Sequence, residues 1–521
     1  MSQRGWIDLD SGTAPTDVQT DVCIIGAGAA GSYLAAELGR CGVDTVVLEA
    51  GGSGAVSGEI AGFDPIFGRD PYPGALVGRF FGMGGSTSRW GGALVPHTSH
   101  DLRIGGDHEA AWETIVKRVN AHARTVLSRL GFDGDPDFEG YPSLLQPAAC
   151  GALARAGIDV HANLMLPVRR KNLAGLWRDA AARQRARLFL NATAKTWTLE
   201  RGQDGRFRVT GLEAVSRSGA RVAVSARRYV IAAGAIESAR ILLEIDRASG
   251  QGLFNTGTKP GQFLADHISL PIAEVVQEDR GKARDLFAPR FLGGWMRSFR
   301  FLLRSASSDV PRGFGHFIFE QDAAGFKVAK QVFGALQARR LPDLSIGELV
   351  RGANGLATLA YDRFIKSRLH VPAGTAVRLQ LDVEQRPSAQ NCVTLSEQID
   401  AYGRPRVTID WSISEDDVDA MKTVASRLLS DWPGAGGALP RLAPLAVAGG
   451  IVKPYDAYHP TGTCPMDGGD NAVVDLDLNV VGSGNLWLAS TGVLPTAGSA
   501  NPTFTMLCLA QELAGLLGRC R

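Results

Sequence analysis

The sequence has little of what marks a membrane protein or a nucleic-acid-binding protein. It contains no uninterrupted apolar run of the ~18 residues that a membrane span needs, and the apolar stretch 503–517 is interrupted by Gln511 and Glu512. Its formal net charge is only +2, so the chain as a whole exerts no strong attraction on nucleic acid. We therefore expect no membrane-spanning helix and no nucleic-acid partner.

Cysteine and histidine are also scarce. The seven cysteines form neither a CxxC pair nor a Cys/His spacing typical of a metal site, so we expect free thiols in a reducing compartment and no metal. The first ten residues, MSQRGWIDLD, contain acidic side chains and no apolar h-region, unlike a signal peptide. We expect a soluble, cytoplasmic protein of two or more compact units, because 521 residues exceed one ordinary core.

Glycine, in contrast, is abundant, and its 63 residues include one strongly patterned turn. The stretch DVCIIG–GAGAAG–SYLAAELGRCG–DTVVLEA follows a strand, turn, helix and strand pattern, which is a βαβ unit. In such a unit Gly26 permits the tight turn, Gly28 lets a pyrophosphate approach the backbone, and Gly31 lets the helix pack on the strand. Phosphate is favoured by the free N–H groups at the helix start, and Glu49 is placed to accept hydrogen bonds from ribose. The unit predicts an adenine dinucleotide.

Two further regions favour FAD over NAD. A second glycine-rich stretch, GRFFGMGGSTSRWGG, occupies residues 78–92, and a simple NAD domain does not need it. Residues 185–200 and 206–224 alternate apolar and polar side chains like short antiparallel strands, and they precede a strand, small-residue turn and helix at 227–243. An insertion of strands at this point is typical of FAD-binding domains.

A basic segment covers residues 281–370, with 15 Lys and Arg against 7 Asp and Glu, a local net charge of +8. Bulky apolar residues alternate with arginines in WMRSFRFLLRS and YDRFIKSRLH. The pattern indicates a solvated, partly helical cap, or alternatively a surface that meets anionic lipid or an anionic substrate. From about residue 376 the sequence alternates again like strands joined by polar turns.

Four blocks in order carry a resemblance to a known family. They are GAGAAG with Glu49, then GMGGSTSRWGG, then VIAAGAIESARILL followed by GQFLADH, and finally HPTGTC with LPTAGSANPTFTM. In this set the chain resembles the glucose–methanol–choline (GMC) oxidoreductases, flavoenzymes that oxidise alcohols, and the likeness runs from about residue 20 to the end. It is weakest over 105–180 and 271–370. Within the family the chain is most similar to the branch of pyranose oxidases and sugar dehydrogenases.

The resemblance implies that His459 is the active-site base and Asn501 its partner. Oxidising an alcohol requires removal of the hydroxyl proton, and an imidazole with an ordinary pKa near 6.5 suits that task. The amide of Asn501 would hold the substrate oxygen. Pro502 and Thr503 would form a helix start beside the flavin, where the free backbone N–H groups from Thr503 onward and the positive end of the helix dipole would stabilise the reduced flavin.

The resemblance also implies the remaining cofactor contacts. They are Gly26, Gly28, Ala29, Ala30, Gly31, Glu49, Ala50, Arg79, Gly84, Gly85, Ser86, Thr87, Trp90, Gly91, Gly92, Ala194, Ala233, Gly234, Ser490, Thr491, Pro502 and Thr503. Ser490 and Thr491 stand where the family usually has an acid. The second block contains no histidine, so we expect noncovalent FAD, with His97 and His100 in structural roles.

Trp90 replaces an asparagine of the family pattern, and the segment VEQRP resembles the sugar-oxidising branch. An indole can stack on a sugar ring while its N–H donates a hydrogen bond. Gln385 and Arg386 could pair with ring hydroxyls, although strand alternation allows only Gln385, or its two neighbours, to face the site. These residues predict a sugar, glycoside or sugar-bearing metabolite as substrate.

The predicted fold class is mixed α/β. A discontinuous Rossmann-type FAD domain takes residues 15–105, 185–270 and 455–521, and a substrate domain built on an antiparallel sheet takes 106–184 and 271–454. The predicted activity is FAD-dependent oxidation of an alcohol to a carbonyl, and the sequence leaves open whether the electron acceptor is O2, a quinone or another compound. The alternatives are oxidation of a non-sugar alcohol, a non-redox lyase on the same scaffold, and a membrane-associated flavoprotein.

Overall fold

The structure is a computed structural model that describes residues 6–102, 108–136, 138, 144–179, 184–250, 252–254, 257–304, 311–320, 331–332, 334–335, 358–445, 454–469 and 472–519. Much of the basic segment, including 305–310, 321–330 and 336–357, lies outside the described residues. The described part has a mixed α/β fold, as the sequence predicts. Two large sheets organise it.

The first sheet contains the predicted βαβ unit. In spatial order its strands are Trp6–Asp8, Ala186–Leu190, Thr45–Leu48, Asp17–Ile25, Arg221–Ile231, Phe207–Val215 and Thr193–Arg201, with Leu486–Leu488 also paired to Arg221–Ile231. The first five pair in parallel, and the last three of the series pair antiparallel, as the alternating sequence predicts. Parallel strands need helical crossovers, and the helices that pack with this sheet are Ala29–Arg40, Gly234–Ala248 and Pro502–Arg519.

The second sheet is antiparallel. In spatial order its strands are Leu442–Pro444, His267–Val275, Val377–Glu384, Gly313–Phe319, Trp295–Leu303, Ile158–Met165 and Ala93–Leu94, with Arg290–Leu292 and Tyr455–Asp456 paired at its sides. One face is apolar and packs against the helix Glu415–Asp431. The stretch WMRSFRFLL is therefore a central strand of this sheet, and the expectation of a solvated cap is wrong for it.

Shorter elements complete the described fold. The remaining strands are Val56–Ser57, Ile66–Phe67, Phe80–Phe81, Cys392–Ile399 and Pro405–Asp410. The remaining α-helices are Gly58–Ala61, Pro73–Leu76, Glu109–Arg129, Pro147–Arg155, Val168–Lys171 and Arg280–Phe287. The 3-10 helices are Leu9–Ser11, Gly85–Ser88, Ser99–Asp101, Leu173–Arg178, Gln277–Asp279, Gly434–Gly436 and Thr491–Val493. The helix Glu109–Arg129 packs on the C-terminal helix Pro502–Arg519, and the predicted domain limits stay a prediction.

Within the described ranges, no helix combines the length and the apolar character needed to cross a lipid bilayer.

Candidate active site

A cavity of about 540 Å³ lies at the carboxyl ends of the parallel strands of the first sheet. Ligands of doubly wound sheets bind at this edge. Three helices begin at the cavity wall, namely Ala29–Arg40, Gly234–Ala248 and Pro502–Arg519. Each start presents unpaired N–H groups and the positive end of a helix dipole, so the wall is suited to anionic groups.

The glycine-rich turn behaves as its pattern predicts. Gly26 has φ +105°, which favours glycine, and a Cβ there would press on the carbonyl oxygen of Ala232. A Cβ on Gly28 would meet no atom within 4 Å and would project into the cavity that Gly28 lines. A Cβ on Gly31 would overlap the carbonyl oxygen of Gly26, so Gly31 serves the packing of helix on strand.

Most of the predicted cofactor-contacting residues line this one cavity. These are Gly26, Gly28, Ala29, Ala30, Glu49, Ala50, Arg79, Gly85, Ser86, Thr87, Trp90, Gly91, Gly92, Ala194, Ala233, Gly234, Ser490, Thr491, Pro502 and Thr503. Gly31 and Gly84 lie behind the wall. At Gly84, φ is +86° and a Cβ would overlap the amide oxygen of Asn172, so the residue shapes the turn of the second block.

The catalytic pair predicted from the sequence lies together at one end of the cavity. Nε2 of His459 and Nδ2 of Asn501 are 2.7 Å apart, and both residues line the cavity. Asn501 immediately precedes the helix Pro502–Arg519. The backbone N–H of His459 donates to both carboxylate oxygens of Asp266, at 2.9 and 3.0 Å, and Tyr458 before it has φ +61°. These contacts fix the backbone of His459 and the orientation of its imidazole ring in the cavity.

The environment of His459 changes its acidity. Burial, followed by the neighbouring His267, lowers the pKa of His459 to about 3. The ordinary value near 6.5, on which the sequence argument relied, is therefore wrong for this site. The imidazole is neutral at neutral pH, so one ring nitrogen carries a lone pair, and the same shift makes the ring a weaker base than an exposed histidine.

Two residues that the sequence argument did not assign contact the pair directly. Nδ1 of His267 lies 3.2 Å from Nδ1 of His459, with the two rings nearly perpendicular. Arg300 donates from Nη2 to Oδ1 of Asn501 and from Nη1 to the carbonyl oxygen of Ser499 at 3.2 Å. The sequence offered a signal for His267, which ends the GQFLADH block, but Arg300 lies in the segment interpreted only by its charge.

Asp266, His267 and His459 each bring one potential ligand atom within 4.8 Å of the others. The carboxylate of Asp266 already accepts from the backbone N–H groups of both histidines and from the hydroxyl of Tyr72. We therefore interpret the cluster as a hydrogen-bonded support for the imidazole.

The structure does not bring Gln385 and Arg386 to the site. The side chain of Gln385 is buried, donates to the carbonyl oxygen of Ser412 and to Asp417, and accepts from the indole of Trp411. Arg386 is exposed beside a separate small pocket. The structure gives no support to the predicted role of these two residues in substrate binding. The backbone N–H of Gln385 still pairs with the carbonyl oxygen of Asp266 at 2.9 Å, but the side chain points to Ser412, Trp411 and Asp417 and not into the cavity.

Trp90 lines the cavity, but its indole N–H donates to the carbonyl oxygen of Lys171 at 2.7 Å. The indole N–H is therefore already hydrogen-bonded, and any contact with a substrate would be made by the aromatic face of Trp90. His97 is buried with both ring nitrogens hydrogen-bonded, to Thr505 and to the carbonyl oxygen of Ala497. His459 is the one histidine among the described residues that line the cavity.

Two family profiles match the segments of the chain that contribute residues to this cavity. The profile of the family described as GMC oxidoreductase matches residues 387–510, which include His459 and Asn501. The profile described as FAD binding domain matches residues 19–58, which include the glycine-rich turn and Glu49.

Several curated proteins are similar to the chain. A 2-methyl-1,2-propanediol dehydrogenase of Mycolicibacterium austroafricanum is 24% identical over 58% of this chain and 50% of its own. A 6'''-hydroxyparomomycin C oxidase of Streptomyces lividus is 26% identical over 54% of this chain and 43% of its own. The match thus spans about half the length of these two relatives. A paromamine 6'-oxidase of Streptomyces fradiae is 25% identical over 96% of this chain and 91% of its own.

Solved structures share the fold. A pyridoxine 4-oxidase from Mesorbium loti superposes with a TM-score of 0.56 at 19% identity, covering 95% of this chain and 99% of that one. A formate oxidase from Aspergillus oryzae also gives a TM-score of 0.56, at 16% identity, covering 97% of this chain and 99% of that one.

Proposed function

The chain belongs to the GMC oxidoreductase family, and on this premise we propose that it oxidises an alcohol to a carbonyl compound with FAD, using His459 as the base. The observation that carries the proposal is the 2.7 Å pairing of His459 and Asn501 at the wall of the cavity. A base and an amide donor that converge on one point can bind a single hydroxyl group.

The cavity fits FAD. Gly28 leaves open the space that a pyrophosphate would occupy, and the N-terminus of the helix Ala29–Arg40 faces that space with no side-chain cap. Glu49 lies on the wall for the ribose, and the start of the helix Pro502–Arg519 lies next to the catalytic pair. When bound, FAD supplies the acceptor for the hydride that leaves the alcohol carbon.

The side chains of the site bind the alcohol oxygen and remove its proton. In the substrate-free site an N–H of Asn501 faces the Nε2 lone pair of His459 at 2.7 Å. The alcohol O–H takes the place of this N–H, so that Nε2 accepts the hydroxyl proton while Nδ2 of Asn501 donates to the alcohol oxygen and orients it. Burial lowers the pKa of Arg300 to about 9, so its guanidinium stays positive at neutral pH. That charge, held beside Asn501, stabilises negative charge on the oxygen as the proton leaves.

The sheet face next to the pair is polar, which favours a polyhydroxylated substrate over a sterol. Register pairs place a set of polar side chains on the same face of the second sheet as Arg300 and His267. These are His161, Asn163, Ser269, Ser298, His316, Gln380 and Asp382. They stand behind the pair and not among the residues that line the cavity, so the proposal of a sugar or glycoside rests on the polarity of this face and on the aromatic face of Trp90.

Anaerobic screening tests the proposal. We expect free sugars, glycosides or amino sugars to bleach the flavin absorbance faster than choline, benzyl alcohol or sterols do. His459→Ala should retain FAD and slow flavin reduction by roughly 10²–10⁴-fold, with a smaller loss for Asn501→Ala. Reduction of His459→Ala at the wild-type rate, or no bleaching by any alcohol, would contradict the proposal. Reoxidation by O2 compared with a quinone then identifies the electron acceptor.

We also propose a weak contact between the basic segment and an anionic membrane surface. Tyr361, Phe364 and Ile365 are exposed near Arg363 and Lys366. Apolar side chains beside cationic ones are the combination that interfacial binding requires.

A further inference from the structure

Four hydrogen bonds form one continuous series through the catalytic pair. Arg300 contacts Oδ1 of Asn501, and Nδ2 of Asn501 lies 2.7 Å from Nε2 of His459. Nδ1 of His459 lies 3.2 Å from Nδ1 of His267, and Nε2 of His267 lies 3.0 Å from the carbonyl oxygen of Gly498. Each end of the series is a group with one possible role, since a guanidinium only donates and a carbonyl oxygen only accepts.

The carbonyl end determines the tautomer of both histidines. Nε2 of His267 must carry a proton to donate to Gly498, so the Nδ1 of a neutral His267 is an acceptor. His459 must then donate from its own Nδ1. Burial lowers the pKa of His267 to about 4, which agrees with a neutral ring. A neutral His459 protonated at Nδ1 has its lone pair at Nε2, the atom that faces Asn501.

The guanidinium end leads independently to the same arrangement. Because Arg300 offers only donors, Oδ1 of Asn501 turns toward it and the NH2 group turns toward His459. An NH2 group facing Nε2 requires a lone pair there. If the amide were reversed, its oxygen would face His459 and would favour a proton on Nε2. In that tautomer Nε2 has no lone pair with which to accept the proton of an alcohol.

We propose that Arg300 and His267 are positioning residues for the reaction, and that together they keep His459 in the tautomer with its lone pair at Nε2, which accepts the hydroxyl proton once the alcohol displaces the N–H of Asn501. The inference rests on the proposed function for its kinetic consequences, but the tautomer is a property of the protein itself. Arg300 is well held for this task, because only 4% of it is exposed and its guanidinium lies 3.5 Å from the ring centre of Phe314.

The main variant is Arg300→Met, which keeps an apolar stem and removes the donors. We expect it to retain FAD and to lose on the order of 10²-fold in the limiting rate of flavin reduction, with a smaller change in KM. Arg300→Lys, which restores a charged donor, should recover part of the rate. The matched control is Arg297→Met, because Arg297 is 5% exposed on the same strand and donates to the carbonyl oxygens of Asp135 and Pro136.

A double variant tests whether Arg300 acts through the amide. If it does, Arg300→Met should cost little when added to Asn501→Ala, because the amide that it orients is already absent. On the other side, His267→Leu should slow reduction, and His267→Asn, which retains an acceptor near the Nδ1 position, should restore part of the rate. Additive losses in the double variant, or equal rates for Arg300→Met and Arg297→Met, would overturn the inference.

The tautomer can be measured without turnover. In holoenzyme with 15N-labelled histidine, NMR separates protonated from unprotonated ring nitrogens, and His459→Gln assigns the resonances. We expect an unprotonated Nε2 in the wild type and a shift toward protonated Nε2 in Arg300→Met. A protonated Nε2 in the wild type would refute the inference even if His459→Ala is slow, whereas a fast His459→Ala enzyme would refute the proposed function alone.

Discussion

The carboxylate of Glu49 accepts the backbone N–H of Gly82 at 2.8 Å, across 33 residues of sequence. The same side chain accepts from Ala27 at 2.7 Å and from Gly51 at 2.9 Å. Glu49 therefore ties the first glycine-rich turn to the second, in addition to its predicted contact with the ribose. Burial raises the pKa of this carboxyl group, and the three N–H donors oppose the rise.

Glu49→Gln should loosen this junction. An amide replaces one carboxylate oxygen with an NH2 group, so at least one of the buried N–H donors at Ala27, Gly51 and Gly82 loses its acceptor, at a cost of about 1–3 kcal/mol. We expect a lower Tm and faster loss of FAD on dilution, both measured by flavin fluorescence. Glu59→Gln, at an exposed acidic residue nearby in the sequence, is the control. Unchanged FAD retention in Glu49→Gln would rule out this coupling role.

Gly28→Val should give a folded protein without colour. The added Cβ meets no atom within 4 Å, and the side chain fills the space assigned to the pyrophosphate. Gly54→Val is a matched control, because its Cβ also meets nothing within 4 Å and the residue does not line the cavity. Acid precipitation of the wild type should release the flavin into the supernatant. Colour retained in the pellet would show a covalent bond and refute noncovalent binding.

The sequence predicts the parts of the site that depend on local order. The glycine-rich turn with Glu49, and Asn501 at a helix start, follow from spacing within short segments, and the structure places them on one cavity. Their roles in catalysis and cofactor binding stay predictions.

Residues whose position depends on long-range packing could not be predicted. Arg300 is buried because Phe314 stacks on it and Ser499 and Asn501 accept from it, and these partners lie on other elements. A count of charges in the segment 281–370 contains no such information. The side chain of Gln385 could not be placed for a related reason. Its partners Trp411 and Asp417 lie 26 and 32 residues further along the chain and become its neighbours only in the folded protein.

The rate of flavin reduction should show no pH-dependent step near 6.5, the ordinary pKa of histidine. His459 must be neutral to act as a base, and its pKa of about 3 means that it is neutral at all higher pH values. Burial and then His267, Arg300 and His97 lower this pKa, while Asp382 raises it. We expect no midpoint near pH 6.5 in the limiting rate, measured by anaerobic stopped flow. Asp266 is the neighbouring group that titrates above this value, because burial raises its pKa to about 8.

Removing a positive neighbour should move the acid limb upward. Arg300→Met takes away a charge that lowers the pKa of His459, so protonation of the base should occur at higher pH than in the wild type. The flavin spectrum at each pH controls for loss of structure. A wild-type midpoint near pH 6.5 would contradict the buried, neutral imidazole.

The exposed trio at the end of the basic segment predicts salt-sensitive binding to anionic vesicles. Phe364 and Ile365 are 76% and 69% exposed, and the local net charge favours anionic lipid. We expect retention on vesicles that contain phosphatidylserine, none on pure phosphatidylcholine, and weakening as salt increases. Phe364→Ser with Ile365→Ser should abolish retention, whereas Ile60→Ser, at 64% exposure elsewhere, should not. Equal retention on both lipids would exclude the electrostatic contact.

Trp90 provides the sharpest test of substrate class. Its N–H is engaged by the carbonyl oxygen of Lys171, so any contribution to sugar binding comes from its aromatic face, which can stack on the C–H face of a pyranose. Trp90→Phe keeps an aromatic face and should change the KM for a sugar little. Trp90→Ala removes the face and should raise that KM by roughly 10-fold, the equivalent of about 1.4 kcal/mol, while FAD content stays close to wild type.

The comparison with a simple alcohol isolates the stacking contribution. A small aliphatic diol has no ring to stack, so its KM should respond little to Trp90→Ala. If both substrates lose affinity equally, Trp90 shapes the cavity in general and gives no preference for sugars. If the diol is oxidised faster than every sugar by the wild-type enzyme, the substrate class is wrong, while the roles of His459 and Asn501 in removing the hydroxyl proton remain open to the tests above.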